Sequence, residues 1–587
     1  MVLHKTYDVV SREKAMEAAS HTLESGTENL GEQLRSFIVE VHEDFKELQK
    51  FYSVGLSQNG ILEVGEYLAR KTNEIVVRFE RELFDGDDQQ AKVDYHLMRA
   101  FLRQRVEELR AQYQLIENIK PLLGDWVQGL VEFCEGRQKV TPVVGRHAGN
   151  VLSLANRGIT ELTDQISSEK FEWNGSRSSA YQAAQLMEDL RSNLQEAYGF
   201  YTGYDPMFTW WTSQPWEELG PRLSAYVSVI RKYLVGITSN KEDAIVGQPI
   251  GRNGIVSALA NEYIAYTPEE LILIGEKQYK WCEAEAIKAS REIGYGSDWR
   301  KAQEEVKNMF AEPGQQPTLV HELAQEAIDY VIKQDMVTVP EIARKYWRTF
   351  MMSPARQKVN PFFLGGESII VSYPTNNMSH EDKLMVMRGN SYPFSRSTVF
   401  HEVIPGHHLQ YHYMARYKPY RRLFHTPFST EGWAFYWELI LWDRDFADTP
   451  ENRLGMLFWH MHRCVRIIFS LNFHLGKWTP QQCIDTLVDR VGHERATAEG
   501  EVRRSFNGDY GPLYQAGYML GALQLYQLRK ELVNTGKMSE KAFHDRVLKE
   551  NNMPIELLRA LLKGEKLGNS YEASWRFYDL EKDHHRC

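Results

Sequence analysis

Apolar residues recur at steps of three and four along most of this chain, and that period confines it to a mainly helical fold. Between Leu30 and Lys50, the residues Leu34, Phe37, Ile38, Val41, Phe45 and Leu48 line one stripe of a helix. Asp94–Leu123 and Ala180–Tyr198 carry the same period. At Tyr266–Leu271, Thr267 can cap a helix, Pro268 suits its first position, and Glu270 completes a Thr-x-x-Glu capping box. Only Ser368–Tyr373, rich in β-branched residues and closed by Pro374, reads as a strand. It predicts a small β-sheet beside the motif described below. Turn-rich breaks are expected near Gly203–Pro215, Asn240–Gly254 and Glu312–Pro317. No regular repeat of about 30 to 45 residues marks the chain as a solenoid. Its 587 residues exceed one ordinary core. The expected organisation is a helical N-terminal lobe over 1–250 and a catalytic region over 251–587, with a deep cleft.

Charge and cysteine usage exclude several classes. The net charge is −10, and the basic runs Arg416–Lys418 and Arg421-Arg422 are short, so binding to nucleic acid is disfavoured. The five cysteines, Cys134, Cys282, Cys464, Cys483 and Cys587, are widely spaced and form neither a disulfide framework nor a CxxC metal pair. The first residues, Met1–Asp8, lack the apolar core of a signal peptide, and no stretch is long and apolar enough to span a bilayer. Cytoplasmic residence without membrane association is the expectation. The terminal pair His584-His585 is assigned no role.

The chemistry lies in His401-Glu402-Val403-Ile404-Pro405-Gly406-His407-His408. Zinc hydrolases hold their ion with imidazoles and usually one carboxylate, leaving a position open for water, and place a further carboxylate to take the water's proton. The common arrangement is His-Glu-x-x-His on one helix. Here two residues are added, and proline and glycine stand among them. In an unbroken helix, six or seven residues of rise would separate the imidazoles by roughly 9–10.5 Å, too far for one ion. Proline and glycine break the helix and shorten that span. Helical phase favours His408 as the second ligand, whereas the break and the glycine just before it favour His407, the reading adopted. The third ligand is Glu431, in Ser429–Glu438, with Glu438 two turns later on the same face and placed to orient a ligating His. A lone His-Glu dipeptide or an isolated Glu would carry no such inference. The combination does, because Pro-Gly inside a His-rich helical segment costs stability without some return.

These residues resemble the family catalogued as domain of unknown function 885, which looks related to the gluzincin metallopeptidases. Its hallmark, His-Glu-x-x-Pro-Gly-His-His-x-Gln, runs from His401 to Gln410, and its Glu-Gly-Trp-Ala element matches Glu431–Ala434. Weaker likenesses cover Tyr266–Leu271, the run from Arg463 to Thr479, Glu501–Arg504, Pro512–Gly521 and Arg529. The resemblance implies one Zn²⁺ per chain on His401, His407 and Glu431, with Glu402 as general base. Tyr518, and His474 as a second candidate, would steady the oxyanion. The chain departs from the family at Ser470, Lys477 and Tyr514, where Asp, an uninterrupted Gly-Trp pair and Gln are common. The expected function is hydrolysis of an amide in a short peptide or peptide-like small molecule. The alternative is a lyase, cyclisation or amide-forming step on a peptide-derived metabolite; a third reading is a non-catalytic receptor. Manganese, iron or cobalt could replace zinc in such a donor set.

Overall fold

The computed structural model describes residues 29–237, 244–353, 357, 368–507 and 510–581. Met1–Asp8, residues 240–243 of one expected break, His584-His585 and Cys587 therefore lie outside the described residues. The fold is mainly helical. The strands among the described residues are β1 (Thr349–Met351) and β2 (Ile369–Val371), paired parallel with Thr349 opposite Ile369.

The stripe read from Leu30 onward forms the helix Leu30–Phe51, where Leu34, Phe37, Ile38, Val41 and Phe45 are buried while Leu48 stays half-exposed. Thr267 and Glu270 form the expected capping box of α1 (Pro268–Glu292). The break expected at Gly203–Pro215 is much shorter. Asp205 accepts hydrogen bonds from Met207 N and Phe208 N, so a helix starts at Pro206 and runs through Pro215 and Pro221 to Val229. Burial of Phe208, Thr212, Leu219, Leu223 and Tyr226 outweighs the two lost backbone donors.

The chain divides into two compact units, one of residues 1–86 and 98–248, the other of residues 87–97 and 249–587. The first unit has its own core, in which Leu130, Leu152, Ile159, Met187, Leu194 and Tyr226 are buried. In the second unit, residues 87–97 are tied in by charge. Arg421 Nε donates to Asp94 Oδ1 at 2.6 Å and Arg421 Nη1 to Glu550 Oε2 at 3.0 Å, all three side chains being buried. Such a group is stable only while every partner is present.

Six further helices of the second unit position the motif: α2 (Tyr392–Glu402), α3 (His407–Met414), α4 (Pro427–Asp443), α5 (Pro450–His474), α6 (Arg495–Phe506) and α7 (Tyr514–Arg529). Helix α4 is buried on nearly every side, Trp433 and Trp437 included. It crosses α7 on glycines. A Cβ on Gly432 would meet Gly521 Cα at 2.7 Å, and one on Gly521 would meet the Phe428 carbonyl oxygen at 2.1 Å. Gly517, one turn earlier, faces Pro427 in the same way. Backbone therefore lies against backbone, and no rotamer change can relieve an added methyl.

Gly521→Ala should thus destabilise the protein by about 1–3 kcal/mol through overpacking. Gly199→Ala, in the helix Arg177–Tyr201 with nothing within 4 Å of the new atom, should be neutral or stabilise by about 0.4–1 kcal/mol. Thermal unfolding of the two variants beside wild type checks both signs.

Candidate metal centre

Helix α2 ends at Glu402, Val403 leaves helical geometry (φ −101°, ψ −101°), and α3 begins at His407. The Ile404–Pro405 peptide is cis. Gly406 folds back under the end of α2: its N–H donates to Phe400 O at 3.0 Å, and a Cβ on it would lie 1.8 Å from His401 O. Only glycine fits there. The break is fastened from α4 by Trp433 Nε1, which donates to Pro405 O at 2.9 Å, and by Ser429 O, which accepts from Gln410 Nε2 at 2.9 Å.

This backbone turn brings the two imidazoles together despite their separation in sequence. The His401 and His407 rings stand edge-on with centroids 5.0 Å apart. His407 Nε2 lies 3.1 Å and His401 Nε2 3.7 Å from Glu431 Oε2, and one donor atom from each residue falls within 4.8 Å of the others. Two imidazoles and one carboxylate converging in this way suit a single ion with bonds of roughly 2.0–2.2 Å. His407 Nδ1 is buried and without a hydrogen-bond partner. His408 goes elsewhere, its Nε2 lying 3.1 Å from Ala343 O.

The electrostatics fit a cation. Burial would raise the Glu431 carboxyl, yet the adjacent, hydrogen-bonded His407 and the nearby His401 hold it well below the usual range. Burial would lower His401, but the nearby Glu431 carboxylate and the hydrogen bond to Glu438 raise it to about 9. The His401 imidazole thus stands where positive charge is favoured. Glu438 accepts from His401 Nδ1 at 2.8 Å, from Ser397 Oγ at 3.0 Å and from Arg463 Nη2 at 3.4 Å, which fixes the His401 ring as a ligand requires. Glu402, next to His401 but outside the trio, is buried; desolvation raises its pKa, opposed by the two imidazoles.

Helix α7 supplies the rest. Tyr514 OH donates to Glu431 Oε1 at 2.5 Å, occupying the oxygen that the imidazoles do not face. Tyr518 lies with its ring centroid 6.3 Å from that of His401, under Arg466 at 4.4 Å and Arg463 at 5.6 Å. Arg466 in turn donates to Glu501 Oε1 at 2.6 Å. Ser397, Arg463, Arg466 and the role of Tyr514 were not found from the sequence; Tyr514 registered only as a departure from the family pattern. His474 lies elsewhere on α5. It sits at the end of α5, three turns and about 16 Å beyond Arg463, against Phe473 and Phe506, and burial lowers it to about 4. The structure does not bring it to the trio.

A family model described as "Bacterial protein of unknown function (DUF885)" matches residues 67–562, and the chain belongs to that family. No curated protein sequence matches it. Two solved structures share its fold. One, described as "a putative lipoprotein of unknown function from Shewanella oneidensis", has a TM-score of 0.66 at 17% identity, covering 90% of this chain and 99% of its own. The other, a "putative lipoprotein from Colwellia psychrerythraea", has a TM-score of 0.58 at 16% identity, covering 91% of this chain and 99% of its own. These descriptions run against the expected cytoplasmic location, which rested on an N-terminus without an apolar core and on the lack of a stretch that could span a bilayer. No helix among the described residues is long and apolar enough to cross a membrane.

Removing a buried partner of a ligand should weaken metal binding without unfolding the chain. Tyr514→Phe and Glu438→Gln are each expected to lower zinc affinity about 10- to 100-fold. Competition with a chromophoric chelator measures the change.

Proposed function

We propose that the protein is a zinc-dependent hydrolase that cleaves an amide bond in a short peptide or peptide-like small molecule, in keeping with the likeness to gluzincin metallopeptidases. The observation that carries this reading is the convergence of His401, His407 and Glu431 beside a buried carboxylate, Glu402, that is not one of them. A dication held by the trio would polarise the scissile carbonyl and acidify the attacking water. Glu402 accepts the proton of that water and returns it to the leaving amine. Desolvation moves its pKa upward, the direction that helps a carboxylate keep the proton it takes before passing it on. Burial raises the Tyr518 hydroxyl well above its ordinary range, so it stays protonated and able to donate to an oxyanion. Glu438, braced by Ser397 and Arg463, keeps the His401 ring in place.

A second reading is a lyase, cyclisation or amide-forming step on a peptide-derived metabolite. It draws on Tyr514, whose hydroxyl sits on Glu431 at a position where the family commonly has Gln. Labelled water separates the two readings.

With a peptide found by screening short peptides and N-acyl amino acids, turnover in ¹⁸O-water should place solvent oxygen in the new carboxylate. Glu402→Gln should keep its metal and lose about 10²–10⁴-fold in rate. A product without solvent oxygen would replace hydrolysis with the second reading, and undiminished turnover in Glu402→Gln would remove Glu402 as the base.

A further inference from the structure

A second cluster of metal-ligating side chains lies in the same unit, built from different helices and different donors. Cys282 on α1 and His460 and Cys464 on α5 are all buried, and one donor atom from each lies within 4.8 Å of the others. The local geometry follows from the sequence. His460 and Cys464 are one turn apart on one face of α5. Cys282 stands two turns after Gly275 on one face of α1. Gly275 lets the helices close: a Cβ there would meet Cys464 O and Ile468 Cγ1, each at 3.1 Å. We propose that Cys282, His460 and Cys464 form a second metal site, which takes a thiophilic divalent ion of the zinc class.

A further observation points to a ligand. His460 is 5% exposed, and its Nε2 is buried with no hydrogen-bond partner. An orphaned ring nitrogen in a core is costly unless something else satisfies it. The surroundings are apolar and aromatic, with the Trp281 and Phe435 rings each 5.2 Å from the His460 ring. Burial drives His460 down to about 3, so its imidazole is neutral, the form that ligates. On loading, the two thiols give up two protons to solvent. Two thiolates, one neutral imidazole and a dication then sum to zero charge, the balance such a setting tolerates best. Thiolate donors select zinc and its soft neighbours over calcium or magnesium. The bound ion would clamp α1 to α5, the helix that carries Arg463 to Glu438.

The two sites differ in one readable respect: only this one contains sulfur. Full-length protein, stripped of metal under reducing conditions and titrated with cobalt(II), should develop a near-ultraviolet thiolate-to-cobalt charge-transfer band. The band should persist in Glu431→Ala and vanish in Cys464→Ser and in Cys464→Ala, the latter keeping a small apolar side chain in the core. Natively folded wild type that gives no sulfur-derived band with cobalt(II) or with cadmium(II) would overturn the site, whatever the variants do. So would a band that survives in both Cys464 variants.

Discussion

Glu431 is a carboxylate taken out of water, and the helices around it are arranged to make that tolerable. A buried charge needs a cation or a full set of donors, because its desolvation otherwise costs several kcal/mol. Glu431 has partners on both oxygens: two imidazoles face one, and the Tyr514 hydroxyl donates to the other. The imidazoles are held in turn, His401 by Glu438 and His407 by the backbone turn at Gly406. Loss of any one member would leave the others as uncompensated buried polar groups.

That arrangement requires helices to approach more closely than ordinary side chains allow. Gly432 is the residue after Glu431, and it touches Gly521 on α7. The same contact fixes where Tyr514 and Tyr518, on α7, meet the trio. Gly406 does the corresponding work within the motif, turning the chain so that α3 starts against the end of α2. The polar chemistry and the glycine contacts are therefore one design, in which a single added methyl would displace a donor of the candidate metal centre.

Much of this was legible in the sequence, for identifiable reasons. Periodicity gives Leu30–Phe51 and α1 with its cap, because those elements are set locally. Pro405 and Gly406 within a His-rich segment announce a break, and the break is what favours His407 over His408. Glu431 and Glu438 are readable because one helix presents both on one face. What was not legible depends on contacts distant in sequence. Arg463 reaches Glu438 across two helices, and Tyr514 reaches Glu431 from more than eighty residues away. His474 shared a helix with Arg463, but likeness to a family pattern gave no measure of how far along the axis it stood. The helix through Pro215 was missed because tertiary burial overrode a local penalty. The cysteines carried no motif at all; only the crossing of α1 and α5 places them together.

The central claim is that His401, His407 and Glu431 share one ion and that His408 does not take part. Zinc content by mass spectrometry on wild type, Glu431→Ala, His407→Ala and His408→Ala tests it most directly. Glu431→Ala and His407→Ala should each hold one equivalent fewer than wild type, while His408→Ala matches wild type. Equal zinc in wild type and Glu431→Ala, or an equivalent lost from His408→Ala and kept in His407→Ala, would contradict it.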